Sequence, residues 1–278
     1  MEMRSAKIGF IGAGRMGEAL IRGMLRKNLV LPQNLWICDK VEEKLLSLKP
    51  LKVKISSRVK TMISKVDTIF IAVKPQDIDS VLEELKNEVK SSQLIISIAA
   101  GITTSYISRK LGEKVPVIRV TPNIASLAGE GISAISGGER TGRRYVKMAK
   151  EILESVGEVI EVPEDKQDAV TGLSGSGPAY IYAVMQGLIE GGVKVGLKEK
   201  TASRLAIQTA LGAAKLAKEN KASLEELKSW VTSPGGTTAQ GLRVLDKGGL
   251  KDCLAQAVSE ATRRARELGS PAGCHAQQ

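Results

Sequence analysis

Two short segments carry residue types whose order suits chemistry. The first, Gly12-Ala13-Gly14-Arg15-Met16-Gly17, follows the apolar run Lys7 to Ile11 and opens a stretch with helical spacing. In such a strand-turn-helix the first glycine permits a tight turn and the second removes a side chain where a pyrophosphate must approach. The third lets the helix sit close to the sheet. A helix beginning at Arg15 and Met16 adds unpaired N–H groups and a partial positive charge for the phosphates. A glycine-rich turn is a weak signal alone, but in this context it predicts a dinucleotide site. The second segment, Val231-Thr232-Ser233-Pro234-Gly235-Gly236-Thr237-Thr238, leads through a proline and two glycines into a helix with a hydroxyl-rich first turn. Converging N–H groups at such a start make a carboxylate site, although a well-capped helix start reads the same way.

Further candidates sit at the ends of apolar runs. Asp39 closes the second run, where a carboxylate accepts hydrogen bonds from ribose hydroxyls and repels a 2′-phosphate, favouring NADH. Lys40 beside it can pair with that phosphate and favour NADPH, and a solvated Asp-Lys pair at a helix start is a third reading. Val73-Lys74-Pro75, Ala99-Ala100-Gly101 and Thr121-Pro122-Asn123 each follow a strand-like run, so parallel strands would bring them to one edge. There, backbone at Val73, Lys74 and Pro75 can line a nicotinamide, and Ala99, Gly101 and Asn123 complete the cleft. The segment Thr171 to Tyr180, rich in glycine and serine, reads either as an interdomain hinge or as a backbone surface that meets the substrate. The single histidine, His275, lies in a terminal Ser-Pro-Ala-Gly-Cys-His-Ala-Gln-Gln stretch, which argues against histidine-based catalysis. Cys38, Cys253 and Cys274 fall in no metal-ligand spacing, so no metal site is predicted.

The elements that must position these residues follow from periodicity. Lys7 to Ile11, Leu35 to Cys38, Val53 to Ile55, Thr68 to Val73, Leu94 to Ile98 and Val117 to Val120 read as strands buried on both faces. Helical spacing lies between them at 16–25, 41–48, 57–64, 76–89 and 104–111, giving the rhythm of a doubly wound, mostly parallel α/β sheet of Rossmann type. A strand at 131–135, a helix at 143–156 and a strand at 158–162 follow. Around Pro163 the rhythm stops and the remainder reads as helix only, so residues 1–163 are expected to bind NAD(P) and 164–278 to form an all-α domain. Its first helices are rich in small residues such as Gly187, Gly191, Ala206 and Ala213. A helical half with so few bulky side chains makes a thin core, and burying its faces against a second copy is the natural remedy.

Composition bounds the rest. At 278 residues with 42% hydrophobic and 3% aromatic content, the chain is expected to be globular with cores of aliphatic side chains. The net charge of +11 comes from Lys and Arg interleaved with Glu, which reads as a solvated basic surface and not a nucleic-acid footprint. No run is long enough to cross a bilayer, the N-terminus enters a strand pattern directly, and the cysteines suit a reducing compartment, so a cytoplasmic location is expected.

At these residues the chain closely resembles the pyrroline-5-carboxylate reductases. The resemblance rests on Ile8 to Gly14 with Met16-Gly17, Ala72-Val73-Lys74-Pro75, Ala99-Ala100-Gly101, Asp168-Ala169-Val170, Thr171 to Tyr180 and Thr232 to Thr238, in the family's order. It implies a Rossmann domain followed by a helical dimerisation domain, with dimers that in some members assemble into larger rings such as a decamer. It also implies that Ser233, Gly236 and Thr237 hold the carboxylate of 1-pyrroline-5-carboxylate through backbone N–H groups, and that the Thr238 hydroxyl meets the ring nitrogen. NADPH or NADH would reduce the imine to L-proline. Two departures stand out: Ile124-Ala125 replaces the family's Thr-Pro after Asn123, and Val59 stands where many members place an asparagine. Two other readings remain at this stage. One is a β-hydroxyacid-dehydrogenase-like oxidoreductase, for which Lys166 is the nearest catalytic lysine, and the other is a non-catalytic nucleotide-binding protein.

Overall fold

A computed structural model describes residues 3–269, so Cys274 and His275 lie outside the described residues. The described residues up to Ser176, together with those from Ser259 onward, form one compact unit, and Gly177–Val258 forms a second.

The first unit is built on an eight-stranded sheet in which apolar runs become strands. They are β1 (Ile8–Ile11), β2 (Leu35–Cys38), β3 (Lys54–Ser56), β4 (Thr68–Ile71), β5 (Leu94–Ser97), β6 (Val117–Pro122), β7 (Gly131–Gly137) and β8 (Gly157–Glu161). The strand order is β3-β2-β1-β4-β5-β6-β7-β8. The ladders from β3 through β6 are parallel, as is β7 with β8, whereas β6 and β7 run antiparallel. That reversal has a local cause. Only a short helical turn, Ile124–Ala128, and Gly129 in the left-handed region at φ +80 connect the two strands, too little chain for the crossover a parallel pair needs.

Helices α1 (Arg15–Arg26), α2 (Glu42–Leu48), α3 (Val59–Ile63), α4 (Ile78–Leu85), α5 (Thr104–Leu111) and α6 (Arg143–Leu153) cover the sheet. Alternate strand residues feed two aliphatic layers. One joins Phe10, Leu20, Met24, Phe70, Ile118 and Ile152, and the other joins Met62, Ile69, Ile71, Leu82, Ile107 and Val117. The stack of Phe10 on Phe70, with ring centroids 4.6 Å apart, is the large aromatic contact at the centre of the first layer. Periodicity thus located these elements, and the helices at 57–64 and 76–89 are shorter than it predicts because Arg58 is extended and Pro75–Asp77 forms a tight turn.

After β8 the chain is helical: α7 (Gln167–Val170), a π-helical turn at Thr171–Gly175, then α8 (Gly177–Lys194), α9 (Glu199–Glu219), α10 (Leu224–Trp230), α11 (Thr237–Lys247) and α12 (Leu250–Gly269). Within the second unit α8 packs on α9, with Gly192 leaving room for the Ala202 side chain. The Ser223–Glu226 capping box starts α10 as the sequence motif requires. No residue of α8 is buried, only Ala202 and Ala206 of α9 are, and Ile181, Leu188, Leu205, Ile207 and Leu211 stand exposed. This many exposed apolar side chains on two packed helices suits a protein interaction face.

Candidate active site

The glycine turn lies at the carboxyl end of β1 and leads into α1. Gly12 has φ +103, a backbone state that side chains rarely adopt, and a Cβ there would fall 2.5 Å from the Ala72 carbonyl. A Cβ on Gly17 would fall 2.6 Å from the Gly12 carbonyl, so this glycine allows α1 to close on the turn. Gly14 differs: an added Cβ would meet nothing within 4 Å. No packing inside the chain demands a glycine at that position. Gly14 is the N-cap of α1 and supplies no side-chain cap, and the first intrahelical bond runs from the Glu18 N–H to the Gly14 carbonyl. The N–H groups of the first turn, at Arg15, Met16 and Gly17, thus have no side-chain cap.

Asp39 does more than the sequence reading foresaw. Its Oδ2 accepts the Ala13 N–H at 2.7 Å, its Oδ1 accepts the Val41 N–H at 2.8 Å, and Lys44 Nζ stands 3.5 Å from Oδ2. Its side chain is only 8% exposed. The carboxylate braces the phosphate turn from the end of the neighbouring strand, a contact that strand order brings about and sequence spacing does not reveal. Lys40 is exposed, with Nζ 3.5 Å from Ser80 Oγ. Burial, together with the negative charges of Glu84 and Asp39, pushes the neighbouring Cys38 thiol up to about 11, so it stays neutral at physiological pH and is no nucleophile.

Because β1, β2, β4, β5 and β6 are mutually parallel, the turn, Asp39, Lys40, Val73, Lys74, Pro75, Ala99, Gly101 and Asn123 all fall at one sheet edge. Lys74 is extended and Pro75 takes the first position of the turn that follows, where its missing N–H costs nothing. Ala99 is buried and its N–H is accepted by Ser97 Oγ at 3.3 Å. Gly101, at φ +77, lies against Gly269 at the end of α12, where a Cβ would approach to 2.9 Å. Asn123 is committed inside the chain, its Oδ1 accepting the Ile132 N–H at 3.3 Å at the start of β7.

In the second unit, Ser233, Gly236, Thr237 and Thr238 gather at the start of α11. Gly235 turns the chain at φ +72, the Gly236 N–H bonds the Ser233 carbonyl at 3.0 Å, and a Cβ on Gly236 would collide with Ser233 Oγ at 2.3 Å. Gly236 is the N-cap and no side chain caps the helix, so the hydroxyl-rich turn is not a self-capped start. In the segment read as a hinge or backbone surface, Thr171 to Tyr180, a π-helical turn at Thr171–Gly175 is followed by a bend at Ser176 and then by α8 with Pro178 in its first turn, and the two compact units divide between Ser176 and Gly177. Lys166 is exposed and pairs with Asp165 at 2.8 Å, as a surface lysine does. Among the described residues no cluster of His, Cys, Asp and Glu suits a metal ion.

Sequence reasoning passed over one buried group. Arg119, in the middle of β6, is 3% exposed and pairs with Asp168 at 2.7 Å. A charge inside an apolar strand was the signal available.

Residues 164–268 match a family model described as pyrroline-5-carboxylate reductase dimerisation, and residues 7–101 match one described as NADP oxidoreductase, coenzyme F420-dependent. A pyrroline-5-carboxylate reductase of Methanosarcina acetivorans is 45% identical over 96% of this chain and 99% of its own length. Among solved structures, a pyrroline-5-carboxylate reductase from Coxiella burnetii superposes with TM-score 0.90 at 34% identity, covering 96% of this chain and 99% of that one. The Plasmodium falciparum pyrroline carboxylate reductase, solved with NADP bound, gives TM-score 0.88 at 32% identity and covers 96% and 100%.

Proposed function

Because the chain belongs to the pyrroline-5-carboxylate reductase family, we propose that it reduces the C=N bond of 1-pyrroline-5-carboxylate to L-proline, the last step of proline biosynthesis. The observation that carries this reading is near-full-length similarity at 45% identity to a relative of that activity. The open position at Gly14 agrees with it, since the turn and the first N–H groups of α1 fit a dinucleotide pyrophosphate. A bound NADPH or NADH supplies the hydride.

The chain's own residues then bind and orient. Gly12, Gly14, Arg15, Met16 and Gly17 hold the phosphates, Asp39 and Lys40 flank the adenosine ribose, and Val73, Lys74, Pro75, Ala99, Gly101 and Asn123 border the nicotinamide. Ser233, Gly236 and Thr237 hold the substrate carboxylate through backbone N–H groups, and the Thr238 hydroxyl hydrogen-bonds the ring nitrogen. The imine is basic enough to enter as its iminium, so no strong protein acid is needed. Fixing the carboxylate and the ring nitrogen supplies the orientation from which most of the rate gain arises.

The functional division falls at 163/164, with residues 1–163 for the cofactor and 164–278 for dimerisation and substrate, in keeping with the matched dimerisation model. The homodimer uses the exposed apolar faces of α8 and α9, and dimers assemble further into a ring such as a decamer. Light scattering separates these states, at two or ten times the 29.7 kDa chain. The proposed location is the cytoplasm. No helix among the described residues is long and apolar enough to cross a membrane.

The deciding assay follows NADPH and NADH absorbance with 1-pyrroline-5-carboxylate present. Substrate-dependent oxidation with L-proline as product is expected. Oxidation with a hydroxy acid's keto partner and none with the imine would replace this reading by the dehydrogenase one.

A further inference from the structure

The residues that join β8 to the helical half are stapled onto the sheet by three side chains spaced i, i+3, i+4, which is one face of a helical turn. Glu164 accepts from the Thr104 N–H at 2.7 Å and from the Thr104 hydroxyl at 2.6 Å, clasping the start of α5. Gln167, fully buried, donates its amide to Ser136 Oγ at 2.8 Å and to the Ala134 carbonyl at 3.3 Å, both on β7. Asp168 receives the Arg119 guanidinium of β6 at 2.7 Å.

The last contact is the costly one. Arg119 is 3% exposed, in register with Ser97 on one side and Ser136 on the other, small residues that leave the guanidinium room. Burying that charge forfeits its hydration, and a single hydrogen bond to a partner that is 23% exposed is a poor return in stability. A pair of apolar side chains of similar size would pack there at least as well. What the pair does supply is a fixed register between two particular places. Arg119 lies just before Thr121-Pro122-Asn123 at the cofactor edge of β6. Asp168 lies just before the π turn, where the Ser176 N–H bonds the Thr171 carbonyl at 2.9 Å and the Thr171 and Ser174 hydroxyls bond the carbonyls of Gln167 and Val170. A π turn is strained relative to ordinary helix and persists where its surroundings hold it.

We propose that Arg119 and Asp168 are positioning residues for the reductase reaction: their buried ion pair locks the Thr171–Gly175 π turn to the cofactor edge of β6. The catalytic half of this statement rests on the reductase reading, and the structural half does not.

The test is the double variant R119M/D168L, with D168N as the conservative control and D168S as a milder disruption. Hydrogen exchange of amides 171–176, thermal unfolding and steady-state kinetics with NADPH are measured on each. In R119M/D168L the melting temperature should stay within about 3 °C of wild type, since only a buried pair is exchanged for apolar packing. Exchange at 171–176 should rise at least about tenfold and kcat should fall about tenfold or more, with KM for NADPH moving less than about threefold. D168N keeps an acceptor for Arg119 and should stay within about threefold of wild type in both exchange and kcat. Should the double variant fail to fold, D168S carries the same expectation for exchange and kcat but not for melting temperature, which should fall because the buried Arg119 charge loses its partner. Wild-type exchange in the folded disrupted variants overturns the lock, and faster exchange with unchanged kcat overturns the positioning role. A D168N as impaired as the disrupted variants upholds the lock and assigns it to the charge of the ion pair and not to the hydrogen bond alone. Faster exchange in a protein whose wild type reduces no imine leaves the lock standing and removes the reductase reading instead.

Discussion

Thr238 and Asp39 show how differently two polar side chains can serve one reaction. Thr238 stands in the first turn of α11, and the proposed site gives its hydroxyl the ring nitrogen. Thr238→Ala should lower kcat/KM about 10- to 100-fold, the loss of one hydrogen bond worth about 1–3 kcal/mol in a closed site, and wild-type kinetics in that variant would remove the assignment. Asp39 braces the Ala13 N–H of the glycine turn, and the proposed site also sets its negative charge against a 2′-phosphate. Replacing it by serine should weaken both cofactors through the loosened turn. It should also shift the NADPH to NADH preference about tenfold towards NADPH, about 1.4 kcal/mol, with a smaller change in kcat. An unchanged preference would mark Asp39 as a brace alone. The glycine motif announced the turn in the sequence, but the brace was hidden, because only pairing of β2 with β1 sets Asp39 beside Ala13.

At the scale of an element, the turn from β1 into α1 separates glycines that the fold requires from Gly14, which it does not and which the proposed site requires. Gly17→Ala puts a methyl 2.6 Å from the Gly12 carbonyl and should cost about 1–3 kcal/mol of stability, read as a lowered denaturation midpoint. Gly14→Ala meets no atom of the chain and should leave that midpoint unchanged or slightly raised, while the Kd for NADPH, followed by fluorescence, rises about tenfold or more. Equal Kd values for Gly14→Ala and wild type would mean the pyrophosphate lies elsewhere. Strands and long helices were legible in the sequence because burial on two faces or one prints a period on it. The reversal of β7 and the π turn at Thr171–Gly175 were not, because the first depends on the length of a connection and the second on the packing around it.

For the whole molecule the telling feature is the second unit, whose α8 and α9 bury almost nothing within the chain while Ile181, Leu188, Leu205 and Leu211 stand exposed. Leu211→Glu should therefore dissociate the homodimer. Each of two symmetry-related sites would lose about 2 kcal/mol or more, and light scattering at micromolar concentration should fall to the 29.7 kDa chain. A dimer mass in that variant would place the interface on another face. The sequence by itself determined the order of elements, the glycine turn with its meaning and the hydroxyl-rich helix start, because periodicity, glycine spacing and capping chemistry act between near neighbours in the chain. It also announced the thin helical core, since small residues can be counted without a fold. Only the tertiary structure decided that Asp39 braces the turn, that Asn123 Oδ1 accepts the Ile132 N–H of β7, and that a buried Arg119 reaches Asp168. Those contacts join residues far apart in sequence, and strand order, not spacing, sets who meets whom.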